Sequence, residues 1–295
     1  MKTEILIIGG GIAGLTQALL LAQKGLSVTM LEPYPFPTQK KTANNGRTAA
    51  LMGASIKILN ALDLEDAFIN HGSPLKTMRI IDDSNPNIDP VQIDFPAADI
   101  GLNEFGYNIP NQTLHALLAE KAQKDQNIEI IHGAKLSHFK QHQASITAIL
   151  DNGHEITASL LIGADGKNSQ TRQLANIGVK ERDYDQSAIT CLISHTRPHN
   201  HISTEHHRPG GPFTTVPMPD ENGCHISSVV WVEKTGDSER YIKLDKQAFE
   251  KALQTRTRGE LGEIKLASNP ESWPLKAVIA QALTAPRIAL IAEAA

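Results

Sequence analysis

The chain has 295 residues, of which 40% are hydrophobic and 20% are charged, and its formal net charge is −4. This length suggests about two domains with a substantial core, and the charge gives no electrostatic reason to expect binding to nucleic acid or to an anionic membrane surface. The spacing of the two cysteines, Cys191 and Cys224, fits neither a zinc motif nor a redox pair, so we expect reduced thiols in a cytosolic protein.

The hydropathy pattern predicts neither a membrane span nor a signal peptide. No apolar run reaches the roughly 18 residues that a membrane span needs. The apolar run from Ile5 leads directly into glycines, which is not typical of a secretory signal peptide. We therefore expect a cytoplasmic protein.

The N-terminal region has the pattern of a strand, a turn, a helix and a second strand. Residues 4–8 are an apolar run, residues 9–14 are rich in glycine, and residues 12–24 are mostly good helix formers. Residues 27–31 form a second apolar run that ends at Glu32. Two strands joined by a crossover helix are expected to be parallel.

The glycine-rich turn has the Gly-x-Gly-x-x-Gly spacing of a dinucleotide-binding motif. Gly9 permits the tight turn, Gly11 lets the backbone approach a pyrophosphate, and Gly14 lets the helix pack closely on the strand. The helix N-terminus, which includes Ala13, offers N–H groups and positive partial charge to phosphates. Glu32 can accept hydrogen bonds from an adenosine ribose and would repel a 2′-phosphate, so we expect FAD or NAD as the ligand and not NADP. A glycine-rich turn without a ligand is the alternative.

Helical and strand-like segments alternate along the rest of the chain. A polar loop is predicted at residues 33–46. Helices are predicted at residues 49–62, 113–124 and 249–256. Extended segments are predicted at residues 78–100 (short pieces broken by Pro86, Pro90 and Pro96), 128–131, 145–150, 155–158, 159–162, 188–195, 211–217, 225–233 and 287–291. The Asp-Asn-Gly at residues 151–153 predicts a hairpin turn.

The order of these segments predicts an α/β fold, in which a Rossmann-like nucleotide-binding domain is interrupted by a β-rich substrate domain. The predicted nucleotide-binding domain comprises residues 1–74, 104–181 and 275–295. The predicted β-rich domain comprises residues 75–103 and 182–274. These boundaries follow changes in hydrophobic periodicity.

A second motif distinguishes FAD from NAD. The apolar run of residues 159–162 leads into Gly163-Ala164-Asp165-Gly166, and Arg172 follows. Taken alone, Asp-Gly after a strand also occurs in ordinary turns. Together with the glycine-rich turn about 150 residues upstream, residues 159–172 resemble the Asp-Gly motif of flavin monooxygenases of the aromatic-hydroxylase type.

Other segments resemble the same family, and together they are similar to its ubiquinone-biosynthesis hydroxylase branch. These segments are Arg47-Thr48-Ala49-Ala50-Leu51, residues 106–111 with Leu114 and Leu117, residues 207–217, Val229-Val230-Trp231 and Trp273-Pro274-Leu275.

The resemblance implies an FAD-dependent monooxygenase that uses NAD(P)H and O₂ to hydroxylate an aromatic ring. The implied substrate is a small molecule, a polyprenylated phenol or quinol, which needs an apolar cleft. The resemblance also implies peripheral contact with the inner membrane or a complex with related biosynthetic enzymes, whereas the net charge of −4 argues against a nucleic-acid partner. Because the flavin carries the chemistry, no catalytic side chain is expected.

The turn and the resemblance together name the expected site residues. The expected cofactor-binding residues are Gly9, Gly11, Ala13, Gly14, Glu32, Arg47, Asn111, Asp165, Gly166 and Glu293. The expected substrate-cleft residues are Pro212, Phe213, Val216, Pro217 and Trp231. By the same resemblance, Arg47 would neutralise phosphate charge, Asn111 would bind near the ribityl chain, and Asp165 would fix its turn against the flavin. Alternatively, Arg47 and Arg172 are surface or packing residues, and Trp231 and Trp273 are core residues.

The C-terminal segment departs from the family pattern. The family's third motif is a strand followed by Gly-Asp-Ala-Ala-His, a loop rich in proline and glycine, and a long helix. Here Ala292 stands at the usual glycine, Glu293 at the aspartate, and the histidine, loop and helix do not follow. We therefore expect the chain as given to be a truncated, non-catalytic fragment that at most binds FAD weakly or joins a complex of related proteins, and its longer parent to be the hydroxylase. Another enzyme of the flavin superfamily, an epoxidase or a reductase, is the remaining alternative.

Histidines are frequent in one stretch of the β-rich region. They are His195, His199, His201, His206 and His207. A metal site needs fixed ligand spacing on a defined element, whereas this stretch has the pattern of a polar loop between strands. No metal is therefore expected.

Overall fold

The computed structural model describes residues 1–37, 46–85 and 87–295. Residues 38–45 of the predicted polar loop, and Pro86, lie outside the described residues. In chain order, the strands are β1 (Lys2–Ile8), β2 (Val28–Glu32), β3 (Thr48–Met52), β4 (Ser73–Leu75), β5 (Thr77–Asp82), β6 (Val91–Pro96), β7 (Gly106–Pro110), β8 (Ile128–His132), β9 (Leu136–Gln141), β10 (Ile146–Leu150), β11 (Glu155–Gly163), β12 (Val179–His195), β13 (Ile202–His207), β14 (Phe213–Pro217), β15 (His225–Lys234), β16 (Ile264–Leu266), β17 (Glu271–Ala280), β18 (Thr284–Ala285) and β19 (Ile288–Leu290). The helices are α1 (Ile12–Ala22), α2 (Gly53–Ala61), α3 (Glu65–His71), α4 (Asn111–Lys124), α5 (Gln170–Leu174), α6 (Thr235–Ile242) and α7 (Lys246–Arg256), and short 3₁₀ helices cover Ala97–Ile100 and Ala292–Ala294. Among the helices of the described ranges, none combines the length and the apolar character that crossing a bilayer requires.

The chain divides into two compact units. The first unit comprises Met1–Thr42, Leu114–Arg182 and Lys276–Ala295, and the second comprises Ala43–Thr113 and Asp183–Leu275. These units differ from the predicted domains over residues 43–74 and 104–113. The sequence pattern assigns these residues to the nucleotide-binding domain, whereas they belong to the second unit. The difference arises because β3 and β4 both pair with β7 in one small sheet, which keeps these segments together. The predicted domain boundaries stay a prediction.

The first unit is built around a parallel sheet. Strand β1 pairs in parallel with β11 on one side and β2 on the other, β2 pairs with β8, and β11 pairs with β19. Strand β18 is antiparallel to β19, and the β9–β10 hairpin extends from β11. The strands are apolar because both faces of such a sheet are covered, and Leu6, Leu31, Leu161 and Leu290 belong to one core cluster. The α/β class and the parallel βαβ unit are confirmed.

The second unit contains a large, mainly antiparallel sheet. Its strand order is β16-β12-β15-β14-β13-β5-β6, and β17 also pairs with β12. Strands β13 and β5 pair in parallel, whereas the pairs β12–β15, β12–β16, β13–β14, β14–β15 and β5–β6 are antiparallel. Helix α7 contributes Phe249 and Leu253 to a core cluster that also holds Phe213 and Trp231. Each such fully buried side chain contributes about 1.5–3 kcal/mol to stability, which explains why α7 is fixed to the sheet.

The helix predicted at residues 49–62 begins later than expected. Thr48–Met52 forms strand β3, and only Gly53–Ala61 is helical. Strand β3 pairs with β7, with Ala50 opposite Asn108. Helix propensity is a weak preference, and pairing with a distant strand overrides it.

The last strand leads into a strained backbone position. Ala292 has a φ angle of +52°, in the left-handed region, and its side chain is exposed. This conformation costs an L-residue about 1–2 kcal/mol because the Cβ atom approaches the following carbonyl oxygen. The segment is held in place nearby, since the buried Arg172 donates a hydrogen bond to the Ala294 carbonyl oxygen at 3.1 Å.

We expect Ala292→Gly to raise the free energy of unfolding by about 0.5–1 kcal/mol, because glycine adopts a positive φ without the steric cost and loses only part of this gain to greater freedom in the unfolded chain. Urea denaturation measures the change. Ala144→Gly is the matched control, since Ala144 is also exposed but has an ordinary φ. Equal effects of the two substitutions would contradict the prediction.

Candidate functional site

Four strands of the first unit end at one edge of the parallel sheet, and the predicted motifs follow them there. The glycine-rich turn follows β1, Glu32 ends β2, the Asp-Gly turn follows β11, and the Ala292–Ala294 turn follows β19. The Ala164 N–H donates to the Ile8 carbonyl oxygen at 2.7 Å, so the two glycine-containing turns are adjacent. In open α/β sheets, ligands bind at this carboxyl edge.

The three motif glycines have different surroundings. A Cβ atom on Gly9, whose φ is +105°, would lie 2.4 Å from the Ala164 carbonyl oxygen. A Cβ atom on Gly14 would lie 2.0 Å from the Gly9 carbonyl oxygen. Within residues 1–37, 46–85 and 87–295, no heavy atom lies within 4 Å of a Cβ atom placed on Gly11. Gly9 and Gly14 are therefore needed for packing, whereas the space at Gly11 is open to a ligand.

The N-terminus of α1 is suited to an anion. Gly11 is the N-cap residue, so no side chain caps the helix, and the first turn contains no acidic residue. The first N–H groups of a helix have no partner inside the helix and carry a positive partial charge. The N–H groups at Ile12 and Ala13 are thus suited to a phosphate, and the binding of a cofactor there stays a prediction.

Glu32 is held in a fixed position beside this turn. Its Oε2 atom accepts a hydrogen bond from the Gly10 N–H at 2.7 Å, and its Oε1 atom accepts one from the Tyr34 N–H at 3.0 Å. Each carboxylate oxygen has a second lone pair, so Glu32 can still accept a ribose hydroxyl. Together with the open space at Gly11 and the uncapped helix, this geometry fits the adenosine diphosphate part of FAD.

Both carboxylate oxygens of Asp165 accept hydrogen bonds within its own turn. Its Oδ1 atom accepts from the Ser169 hydroxyl at 2.5 Å, and its Oδ2 atom accepts from the N–H and the hydroxyl of Thr171 at 2.9 and 3.0 Å. The Ser169 hydroxyl in turn accepts from the Arg172 N–H and caps α5. Asp165 therefore fixes the turn, in which Gly166 has a φ of +80°.

Arg172 is a packing residue. Its side chain is buried and donates to the carbonyl oxygens of Ala294 and Lys167 at 3.1 and 2.8 Å. From the sequence, Arg172 was either part of the flavin-binding motif or a surface or packing residue, and the structure supports a packing role. Glu293, one residue before Ala294, is exposed at the same sheet edge, and its contact with a cofactor stays a prediction.

Arg47 and Asn111 are neighbours in the second unit. The Asn111 N–H donates to the Arg47 carbonyl oxygen at 3.1 Å, and the Arg47 guanidinium lies 4.6 Å from the centre of the Trp273 ring. The Asn111 Oδ1 atom is buried and has no hydrogen-bond partner among the described residues. Buried polar atoms are nearly always paired, so this acceptor is suited to a ligand hydroxyl. The roles of both residues in cofactor binding stay predictions.

The predicted substrate-cleft residues lie on different faces of the second unit. Phe213 and Trp231 are fully buried, with ring centroids 6.1 Å apart, in the cluster that α7 covers. They are core residues, and the prediction that they line a cleft is wrong because Phe213 on β14 and Trp231 on β15 are opposite each other on the face that α7 covers. Pro217 is buried, whereas Val216 is half-buried and Pro212 is exposed, and their cleft role stays a prediction.

His115 is a site residue that the sequence analysis missed. It lies on α4, one turn after Asn111, and its Nε2 atom donates to the Gly10 carbonyl oxygen at 2.7 Å. Its ring also contacts Phe36, with centroids 5.6 Å apart. The only available signal was its place on the same helix face as Asn111, four residues away.

The histidines of the second unit make protein contacts. His195, for example, contacts the Arg197 carbonyl oxygen through Nδ1 at 2.7 Å and the Ser227 hydroxyl through Nε2 at 2.9 Å. Burial lowers the pKa of His195 below its usual value. Across residues 1–37, 46–85 and 87–295, no group of three or more His, Cys, Asp or Glu side chains is arranged to hold a metal ion.

His206 makes the stability of the chain depend on pH. Its side chain is 1% exposed, and burial, with a smaller effect of Arg208, lowers its pKa from 6.5 to about 4. Below pH 6.5 the unfolded chain takes up a proton that the folded chain does not, so the contribution of neutral His206 is complete above pH 6.5 and is lost as the pH falls towards 4.

We expect this residue alone to lower the free energy of unfolding by about 3 kcal/mol between pH 6.5 and pH 4. Urea denaturation at a series of pH values measures the effect, and His206→Leu should make the decrease shallower. His138→Leu, at an exposed position, is the matched control for the removal of a histidine. An unchanged slope in His206→Leu would show that the pKa of His206 is not depressed.

The glycine surroundings predict a separation between stability and binding. Gly14→Ala should lower the free energy of unfolding by at least about 1–3 kcal/mol, the usual cost of overpacking, because its Cβ atom would overlap the Gly9 carbonyl oxygen. Gly11→Ala should change stability by less than about 1 kcal/mol, since its φ of −69° suits alanine and no atom of the described residues lies within 4 Å of the added Cβ atom. It should nevertheless weaken FAD binding at least about tenfold by blocking the pyrophosphate. Thermal unfolding and flavin-fluorescence titration measure the two effects, and tight FAD binding by Gly11→Ala would reject this site.

Comparison with known proteins agrees with this geometry. Residues 2–295 match the family described as FAD binding domain. The ubiquinone hydroxylase UbiL of Rhodospirillum rubrum is 28% identical over 99% of this chain and 66% of its own length, and the ubiquinone hydroxylase UbiM of Neisseria meningitidis is 27% identical over 100% of this chain and 63% of its own length. This chain thus spans just under two thirds of the length of these curated relatives. The crystal structure of Pseudomonas aeruginosa PqsL in complex with 2-aminobenzoylacetate has the same fold, with a TM-score of 0.80 at 18% identity over 100% of this chain and 79% of that one. The resemblance found in the sequence is confirmed, and the chain belongs to the FAD binding domain family.

Proposed function

We propose that this chain binds FAD at the carboxyl edge of its parallel sheet and serves in the FAD-dependent hydroxylation of an aromatic ring. The observation that carries the proposal is the meeting of the glycine-rich turn with the Asp-Gly turn, which leaves Gly11 open to a ligand. The similarity to two ubiquinone hydroxylases suggests the substrate class, a polyprenylated phenol or quinol of ubiquinone biosynthesis. The same similarity suggests peripheral contact with a membrane that holds such a substrate, or a complex with related enzymes.

Different residues of the site would bind different parts of FAD. The N–H groups of Gly11 and of the first turn of α1 would bind the pyrophosphate. Glu32 would accept hydrogen bonds from the adenosine ribose, and its charge would disfavour a 2′-phosphate. We further propose that Arg47 neutralises phosphate charge. The Asn111 Oδ1 atom, which has no hydrogen-bond partner among the described residues, would accept a hydroxyl of the ribityl chain.

The reaction is a balanced transfer of one oxygen atom. An aromatic C–H, O₂, NAD(P)H and a proton give the aromatic C–OH, NAD(P)⁺ and water. When bound, FAD supplies the chemistry by accepting a hydride from NAD(P)H and passing electrons to O₂. This division explains why the protein needs no catalytic nucleophile: its residues bind the cofactor, orient it and exclude water.

Glu32→Ala should raise the Kd of FAD about 10- to 100-fold, which corresponds to about 1.5–3 kcal/mol for a hydrogen bond to a charged group. Quenching of flavin fluorescence on titration measures the Kd. Glu4→Ala is the matched control, because the Glu4 carboxylate also accepts a backbone N–H, that of Ser27 at 2.8 Å, but at the opposite end of β1. The Kd of FMN, which lacks the adenosine, should not change in Glu32→Ala. Equal FAD affinity of the two variants would contradict the assignment of Glu32.

The test of the reaction is an assay with ¹⁸O₂. The chain is loaded with FAD and incubated with NADH or NADPH and a short-chain prenylated phenol, and the products are analysed by mass spectrometry. A hydroxylated product with one ¹⁸O atom supports the proposal. Oxidation of NAD(P)H that yields hydrogen peroxide without such a product would reject it in favour of the alternative stated from the sequence, flavin binding without hydroxylation.

A further inference from the structure

The peptide groups around Gly10 are held from two sides by side chains. The Gly10 N–H donates to Oε2 of Glu32, at the end of β2, over 2.7 Å. The Gly10 carbonyl oxygen accepts from Nε2 of His115, on α4, also over 2.7 Å. The second contact joins a helix that starts more than 100 residues later in the chain to the middle of the glycine-rich turn.

The contact with His115 fixes the direction of the next N–H group. The bond from Gly10 to Gly11 is trans, so the Gly10 carbonyl and the Gly11 N–H point in opposite directions. Because His115 holds the carbonyl, the Gly11 N–H points away from His115. This N–H has no acceptor within the part of the chain that the structure describes, and the Cβ direction of Gly11 is open.

His115 is itself held in place by aromatic packing. A carbonyl oxygen only accepts, so Nε2 of His115 must carry a hydrogen. The edge-to-face contact with Phe36 orients the ring, and Phe36 in turn contacts the His132 ring, with centroids 4.9 Å apart. The Phe36 ring also covers Gly10, since a Cβ atom there would lie 2.7 Å from it. The donor is therefore aimed at Gly10 before any ligand arrives.

We propose that His115 is a positioning residue for the cofactor: its hydrogen bond to the Gly10 carbonyl holds the turn in the conformation that presents the Gly11 N–H to the FAD pyrophosphate. The inference rests on the proposed function. Three consecutive glycines have more backbone freedom than any other tripeptide, so ordering them on binding costs conformational entropy. A turn that is ordered in advance avoids part of this cost on binding, so the hydrogen bond from His115 raises the affinity for FAD without contacting it.

The test compares three substitutions that separate the hydrogen bond from the packing. His115→Ala removes both, His115→Phe keeps an aromatic ring against Phe36 but has no donor, and His115→Gln restores an N–H donor at the ε position. The Kd of FAD and of ADP is measured by titration, with riboflavin as a probe that lacks the pyrophosphate. We expect the Kd of FAD and ADP to rise about 3- to 10-fold in His115→Ala and His115→Phe and to recover in His115→Gln, while the Kd of riboflavin is unchanged.

Two controls separate positioning from a general loss of structure. His138→Ala, at an exposed position on β9, should leave all three Kd values unchanged. Thermal unfolding without ligand should show that His115→Phe is as stable as the unsubstituted chain although it binds FAD more weakly. A shift of Kd that follows the loss of stability in every variant would mean a purely structural role and would overturn the inference.

The outcomes distinguish this inference from the proposed function. Normal FAD and ADP binding by His115→Phe would overturn the role of His115 alone and leave the site intact. Failure of the unsubstituted chain to bind either FAD or ADP would overturn the proposed function, and the inference with it.

Discussion

The close packing of the glycine-rich turn against the Asp-Gly turn is the constraint on which the site depends. Strands β1 and β11 pair in parallel over their whole shared length, which brings Ile8 next to Gly163. The chain then has to leave both strands at the same edge, and it can do so only because Gly9 carries no side chain where the Ala164 carbonyl oxygen lies. Two motifs that are about 150 residues apart in the sequence thus become one surface.

Polar side chains stabilise this edge without occupying it. Both oxygens of Asp165 are bonded within the α5 turn, and Arg172 is bonded to the backbone beyond β19. These bonds satisfy buried polar groups that would otherwise destabilise the fold. Asp165 and Arg172 thus hold the Asp-Gly turn in place, and the backbone N–H groups at the start of α1 and the remaining lone pairs of Glu32 are suited to a ligand. The contacts of Asp165, Gly166 and Glu293 with a cofactor stay a prediction. A rigid edge with unused backbone donors is what a pyrophosphate site requires.

The sequence allowed prediction of the features that depend on local pattern. The βαβ unit, the glycine spacing, Glu32 and the parallel sheet follow from short-range periodicity and from a motif that requires particular residues. Features that depend on distant pairing were missed. The segment of β3 was expected to be helical because its partner β7, more than 50 residues away, cannot be recognised from the local pattern. Phe213 and Trp231 were expected in a cleft because the sequence does not show which face of a strand α7 covers. His115 was missed for the same reason, since its partner is a carbonyl oxygen, which every residue has.

The backbone donors of the turn are divided between the fold and the ligand. Each backbone N–H needs an acceptor or a water molecule. The Gly9 N–H donates to the Leu31 carbonyl oxygen at 2.9 Å, and the Gly10 N–H donates to Glu32 at 2.7 Å. The next donors, at Gly11 and in the first turn of α1, have no side-chain cap. The first two donors tie the turn to β2, and that attachment fixes where the remaining donors point. The same carboxylate that would receive the ribose therefore also helps to hold the donors for the phosphates, so the adenosine and pyrophosphate parts of the site are built by one set of contacts.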